Sequence, residues 1–288
     1  MSWRPNFGPL RVSAPGLTLR GPDLGQIAGE HAVFDNIEHL GCDTTIAQLA
    51  RIMAAPGYMG STGVGDGSDE AAWPLVVVDC PAGEGDGEQE QERASLVSLI
   101  FSGGFEQPRT SVQVNSFRLD EAATSRSHVK LTHCRLGGRL VAGNEYALER
   151  DALGRDACAD TMAVSCAFVE SETHGVECSR GGSVVLRSCD IRGNAGDGIV
   201  VQAGGKLTAE ADTRIVGCSG DGLYVKGRAE LDEHCIVDGN KYGVLAVGNQ
   251  ARVTVARGAA VRNNARSDLA ETLGGEIDGV DREMVTAI

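Results

Sequence analysis

The sequence predicts an all-β fold: a right-handed parallel β-helix of short strands stacked in coils of about two dozen residues, with a short N-terminal helix capping one end. Three observations predict it. A repeat is anchored on glycine, apolar residues alternate with period two inside each repeat, and the composition is poor in aromatics (4%) and rich in glycine (39 residues). A narrow core with few large fillers and many tight turns suits that composition.

The repeat comes first, because self-similarity at a fixed period decides the architecture. Gly175-Val-Glu-Cys, Gly198-Ile-Val-Val, Gly222-Leu-Tyr-Val and Gly243-Val-Leu-Ala-Val start 23, 24 and 21 residues apart. Between them lies a second recurrent segment, at 184–191, 207–215, 229–237 and 253–261. Three residues after its last aliphatic comes Asn194, Cys218, Asn240 or Asn264, a turn ladder in which Asn tolerates a left-handed backbone and bonds its equivalent one coil away. Gly198, Gly222 and Gly243 are expected to supply backbone freedom after that turn.

The alternation comes second. Three- to five-residue strands cannot bury a face alone, but stacked copies put their inward residues in register and build a continuous core. A period of two excludes helical solenoids. Weaker rungs like 184–189 continue upstream at 162–166, 129–134, 112–117 and 96–100. Cys134, Cys166, Cys189 and Cys235 recur at a comparable place, which fits a column of small inward thiols; the alternative is a metal site.

The first 95 residues differ, so the chain divides into an N-terminal part, 1–95, and the β-helix, 96–288. Pro9 to Arg20 reads as two strands broken at Pro15-Gly16. Asp43 is placed to cap a helix through about Ala54, with Ile46, Leu49, Ile52 and Met53 on one side, covering the open end of the solenoid. Residues 57–70 and 81–93 read as acidic, glycine-rich loops, and 145–159 as a charged excursion.

A net charge of −14 argues against nucleic-acid or anionic-membrane partners, which need a basic footprint. No apolar run is long enough for a secretory signal near Met1 or for a membrane span, and nine cysteines are an odd number without CxxC spacing. These features predict an intracellular, cytoplasmic protein with reduced thiols and no zinc.

The segments NAGDGIVV (194–201), CSGDGLYV (218–225) and NKYGVLAV (240–247) resemble the parallel β-helix repeats of the pectin-lyase-like superfamily. The resemblance covers half to two-thirds of the chain. It implies the fold, and it implies a choice between polysaccharide lyases, hydrolases or epimerases and non-catalytic binding or scaffold proteins. Hydrolases of that superfamily carry Asn-x-Asp-Gly, a paired Asp-Asp and Gly-His-Gly. Here Gly-Asp-Gly occurs at 196–198 and 220–222, Asp-Asp is absent, and His174-Gly175 comes before both.

One constellation suits chemistry. His174, Asp197, Asp221 and Tyr242 each precede a registered glycine, with Lys241 beside the last, so they fall in a line about 4.8 Å apart per coil. Two carboxylates one coil apart match the separation of a retaining glycosidase pair, or the start of a calcium site at Asp197 and Asp221. Against this stands ordinary Asp-Gly turn chemistry, each Asp bonding a backbone N–H at its own corner. The expected function is a non-catalytic scaffold or interaction protein that offers a flat solenoid face to a protein partner or assembly and needs no cofactor. The alternative is a carbohydrate-active enzyme or glycan binder using His174, Asp197, Asp221, Lys241 and Tyr242.

Overall fold

A computed structural model describes residues 126–143 and 158–288 throughout. Before them it describes the strands Leu10–Val12, Thr18–Arg20, Ala50–Met53, Val76–Val78, Ala94–Val97, Leu99–Ser102 and Thr110–Val114. Side-chain environments are described from Val129 onward, apart from 144–158.

Each coil contributes one strand to each of three parallel sheets. In one coil, Gly182–Arg187 is followed by a turn, Asp190–Arg192, a turn, Ile199–Val201, and a turn into Lys206–Glu210, which lies directly above Gly182–Arg187. Gly182–Arg187 belongs to a nine-stranded long-strand sheet, Asp190–Arg192 to an eight-stranded short-strand sheet, and Ile199–Val201 to a ten-stranded glycine-led sheet. Parallel pairing follows because each coil returns to its starting place one strand spacing higher.

The core lies between the sheets and reads as columns. In the long-strand sheet Leu131, Ala163, Leu186, Ala209, Leu231 and Val255 stand in register, large alternating with small for most of its length. The short-strand sheet stacks Leu136, Phe168, Ile191, Ile215 and Val237, and the glycine-led sheet stacks Leu140, Val176, Ile199, Leu223, Val244 and Leu269; all are buried. Interdigitated size classes fill a narrow interior, with Phe168 the one aromatic in these columns.

The thiol column is present. Cys134, Cys166, Cys189, Thr213 and Cys235 occupy one place in successive coils, all buried. The Cys134 N–H points to Cys166 Sγ at 3.4 Å, and the Cys189 N–H to Thr213 Oγ1 at 3.4 Å. Cys189 and Cys235 Sγ donate to the carbonyls of Ala163 and Ala209 one coil back. These thiols serve the backbone, and among the described residues no three His, Cys, Asp or Glu side chains group to hold a metal.

Several expectations change. Ala50–Met53, inside the expected capping helix, is a strand of the short-strand sheet paired with Leu99–Ser102. A short apolar stripe fits either period, and ladder pairing decides for the strand. Asp43, Ile46, Leu49 and Ala54 lie outside the described residues, where the only helix is the 3₁₀ turn Arg282–Met284. Residues 96–100 are not one rung: Ala94–Val97 joins the long-strand sheet and Leu99–Ser102 the short-strand sheet. Thr110–Val114 belongs to the glycine-led sheet, paired with Arg139–Ala142, rather than to the sheet of 184–189. Leu10–Val12 and Thr18–Arg20 pair with Val76–Val78 and 95–97 in the same sheets. The acidic stretches at 57–70 and 81–93 lie outside the described residues, as does 145–157 of the charged excursion.

The turn chemistry also shifts by one residue. The left-handed positions are Gly193, Gly217, Gly239 and Asn263, with φ of 63°, 64°, 69° and 56°, each just before the ladder residue. The glycines leading the strands need space instead. A Cβ on Gly222 would lie 2.6 Å from Val237 Cγ1 and 2.7 Å from Asn240 Nδ2 and the Gly243 carbonyl.

Candidate functional site

The turn entering the glycine-led sheet carries two parallel ladders. The inner one is Ser171, Asn194, Cys218, Asn240 and Asn264. Asn194 Oδ1 accepts from the Ser171 N–H at 3.0 Å, Asn240 Oδ1 from Cys218 at 2.9 Å, and Asn264 Oδ1 from Asn240 at 2.9 Å. Each amide nitrogen donates backward, from Asn194 to the Phe168 carbonyl, Asn240 to Ile215 and Asn264 to Val237. Cys218 breaks the amide series, and its Sγ lies 3.8 Å from Asn194 Nδ2. Buried turn groups that water cannot reach are thereby satisfied.

The outer ladder is the line expected to carry chemistry. Register places His174, Asp197, Asp221 and Tyr242 on successive coils, because Val176, Ile199, Leu223 and Val244 pair in order. Their polar atoms are aimed at backbone. His174 Nδ1 accepts the Asp197 N–H at 3.1 Å, and Asp197 Oδ1 accepts the Asp221 N–H at 2.7 Å. The Tyr242 N–H acts on Asp221 from the next coil by lowering its pKa. His174 and Asp197 thus bond the next coil's corner rather than their own. Accepting at Nδ1 leaves the proton of neutral His174 on Nε2, and Asp197 Oδ2 stands 3.5 Å from Nδ1.

Asp221 is the outlier. It is 5% exposed, and its Oδ1 has no hydrogen-bond partner. Lys241 Nζ lies 3.9 Å from that oxygen, an ion pair too long for a hydrogen bond, and 5.5 Å from the centre of the Tyr242 ring. Burial raises the Asp221 pKa above the ordinary carboxylate value, and the charge of Asp197 adds to it. Lys241 and the Tyr242 N–H pull the other way.

The structure therefore brings all five candidates together. A carboxyl with a raised pKa suits a general acid, but Asp221 is buried and Asp197 already spends an oxygen on the backbone. Calcium needs six to eight oxygen ligands, and these two residues leave few to give.

A second feature escaped the repeat reading. From Val201 to Lys206 the turn leaving the glycine-led sheet has four residues, and from Ala246 to Arg252 it has five, but Val225 and Arg228 are joined only by Lys226-Gly227. The short turn leaves an open cleft of about 490 Å³, lined by Lys206, Arg228 and Arg252 among others. The signal was visible as the 21-residue interval after Gly222 against 23 and 24 before it.

Residues 137–265 match the family model described as the right handed beta helix region. The class of protein is thus defined by both ladder and match: this stretch is a right-handed parallel β-helix. No curated protein and no solved structure matches the chain. No helix among the described residues is long and apolar enough to cross a membrane.

Proposed function

We propose that the chain is a non-catalytic β-helix scaffold that presents a flat solenoid face to a protein partner or a larger assembly. One observation carries this reading: of the side chains best placed for acid–base work, His174 and Asp197 bond the backbone of the next coil, and Asp221 is buried. The first two act as pegs between coils, and Asp221 is too buried to meet a polymer. The long-strand sheet offers a suitable face. Its outer column of Lys130, Met162, Val185, Thr208, Glu230 and Thr254 runs in register, mixed in character and at least partly exposed. Solenoids use such extended surfaces for recognition.

The alternative, a glycan-binding or glycan-cleaving protein with or without calcium, draws on the raised pKa of Asp221 and its pairing with Lys241. A glycan array and a Ca²⁺ titration on the parent and on Asp197→Asn/Asp221→Asn separate the two. The scaffold reading expects neither protein to retain a glycan or Ca²⁺. A glycan held by the parent and lost from a variant with the parent's melting temperature would overturn it.

A further inference from the structure

We infer that the cleft over the Lys226-Gly227 turn is a binding site for a compact tetrahedral oxyanion group, a phosphate monoester or a sulfate ester. This stands independently of the scaffold reading. Lys206, Arg228 and Arg252 occupy the same register position on three successive coils, and all three are exposed. Their backbones are therefore about 4.8 Å apart per coil. Like charges directly opposite one another in a sheet destabilise it.

At other rungs an arginine stands opposite a carboxylate. Arg187 pairs with Glu210 on the next coil at 2.7 Å, and Arg262 with Asp238 at 3.1 Å. In a chain with 40 acidic and 26 basic residues, carboxylates are plentiful. Arg252 has one, Glu276 at 3.1 Å, and its Nη1 also donates to the carbonyls of Asn249 and Ala251. Among the described residues neither Lys206 nor Arg228 has an ion-pair partner. Two positive charges are left facing one cleft, with a third held rigid beside them.

The cleft is shaped by backbone. Gly227 forms part of its lining, and a Cβ there would run into the carbonyls of Gln202 and Gly205, so the short turn packs directly on the coil below. Gly204, at φ 80°, turns the chain on the lower side, and Gln250 adds an amide on the upper side. A phosphate monoester carries about −1.5 to −2 charges at neutral pH, which balances Lys206 and Arg228, and its tetrahedral oxygens suit the fork of a guanidinium. Glu230, two residues along the strand from Arg228, together with the overall negative charge, disfavours long polyanions and leaves the small group as the fitting ligand.

Calorimetric titration of the full chain with inorganic phosphate, inorganic sulfate and acetate at low ionic strength tests this. The expected result is saturable one-to-one binding of phosphate or sulfate, weaker by at least about tenfold in Lys206→Gln/Arg228→Gln, which is about 1.4 kcal/mol. Arg187→Gln, a cation outside the cleft, should bind as the parent does. The tighter of the two inorganic oxyanions identifies the group, a phosphoester or a singly charged sulfate ester. Absent binding, binding unchanged in the double variant with its melting temperature intact, or acetate binding as tightly as the dianions would each overturn the assignment.

Discussion

Replacing Asn240 by alanine removes the middle of the inner ladder. The side chain is 2% exposed; its Oδ1 receives the Cys218 N–H at 2.9 Å, and its Nδ2 reaches the Ile215 carbonyl at 3.1 Å. Alanine keeps the backbone N–H that donates to Asn264 Oδ1 but abandons the other two groups inside the core. A buried polar group left without a partner costs about 1–3 kcal/mol, so the pair together should cost about 2–6 kcal/mol. With a urea slope of roughly 3 kcal/mol/M, the midpoint should fall by about 0.7–2 M. Asn264→Ala, at a partly exposed position, should lose about 1 kcal/mol, because water replaces part of what is removed. Urea unfolding followed by circular dichroism measures both. An Asn240→Ala midpoint within about 0.3 M of the parent, at unchanged slope, would refute the idea that the ladder amides are structural.

The buried carboxyl of Asp221 has a raised pKa, so the folded state holds its proton more tightly than the unfolded chain does. Stability from this group is fully present below the ordinary value of 3.8 and is lost as pH rises through the folded pKa. Asp221→Asn should therefore gain on the parent at neutral pH, with the gap closing below about pH 3.8; a gap that widens on acidification contradicts the assignment. Burial and shared hydrogen bonding should also keep the native thiols inert. Hydrogen bonding with Cys134 raises the Cys166 pKa, hydrogen bonding with Cys166 raises that of Cys189, and burial raises Cys178 and takes Cys235 up to about 12. A thiolate-specific disulfide reagent at mildly alkaline pH, read by peptide mass mapping, should label these four only after unfolding. Labelling of native Cys166 or Cys189 at the rate of an exposed thiol would mean that the column opens.

The sequence by itself determined the repeating unit, the parallel stack and the line of His174, Asp197, Asp221 and Tyr242. Those follow from a period of two and a constant glycine spacing, which are local and countable. The thiol column was legible for the same reason. Tertiary structure decided what register alone cannot carry. Ala50–Met53 forms a strand because a neighbouring coil offers it a ladder, and Thr110–Val114 changes sheet because three sheets share one alternating pattern. The strand-leading glycines are required by the approach of the next coil, while the left-handed bend sits one residue ahead of each ladder residue. Asp-Gly turn chemistry alone predicts a carboxylate bonded at its own corner, but in a solenoid the next coil's N–H lies roughly 5 Å away in space and 24 residues away in sequence, as between Asp197 and Asp221. The cleft over Lys226-Gly227 is likewise a difference between neighbouring coils: a shortened turn becomes a cavity only when longer turns stand on both sides of it.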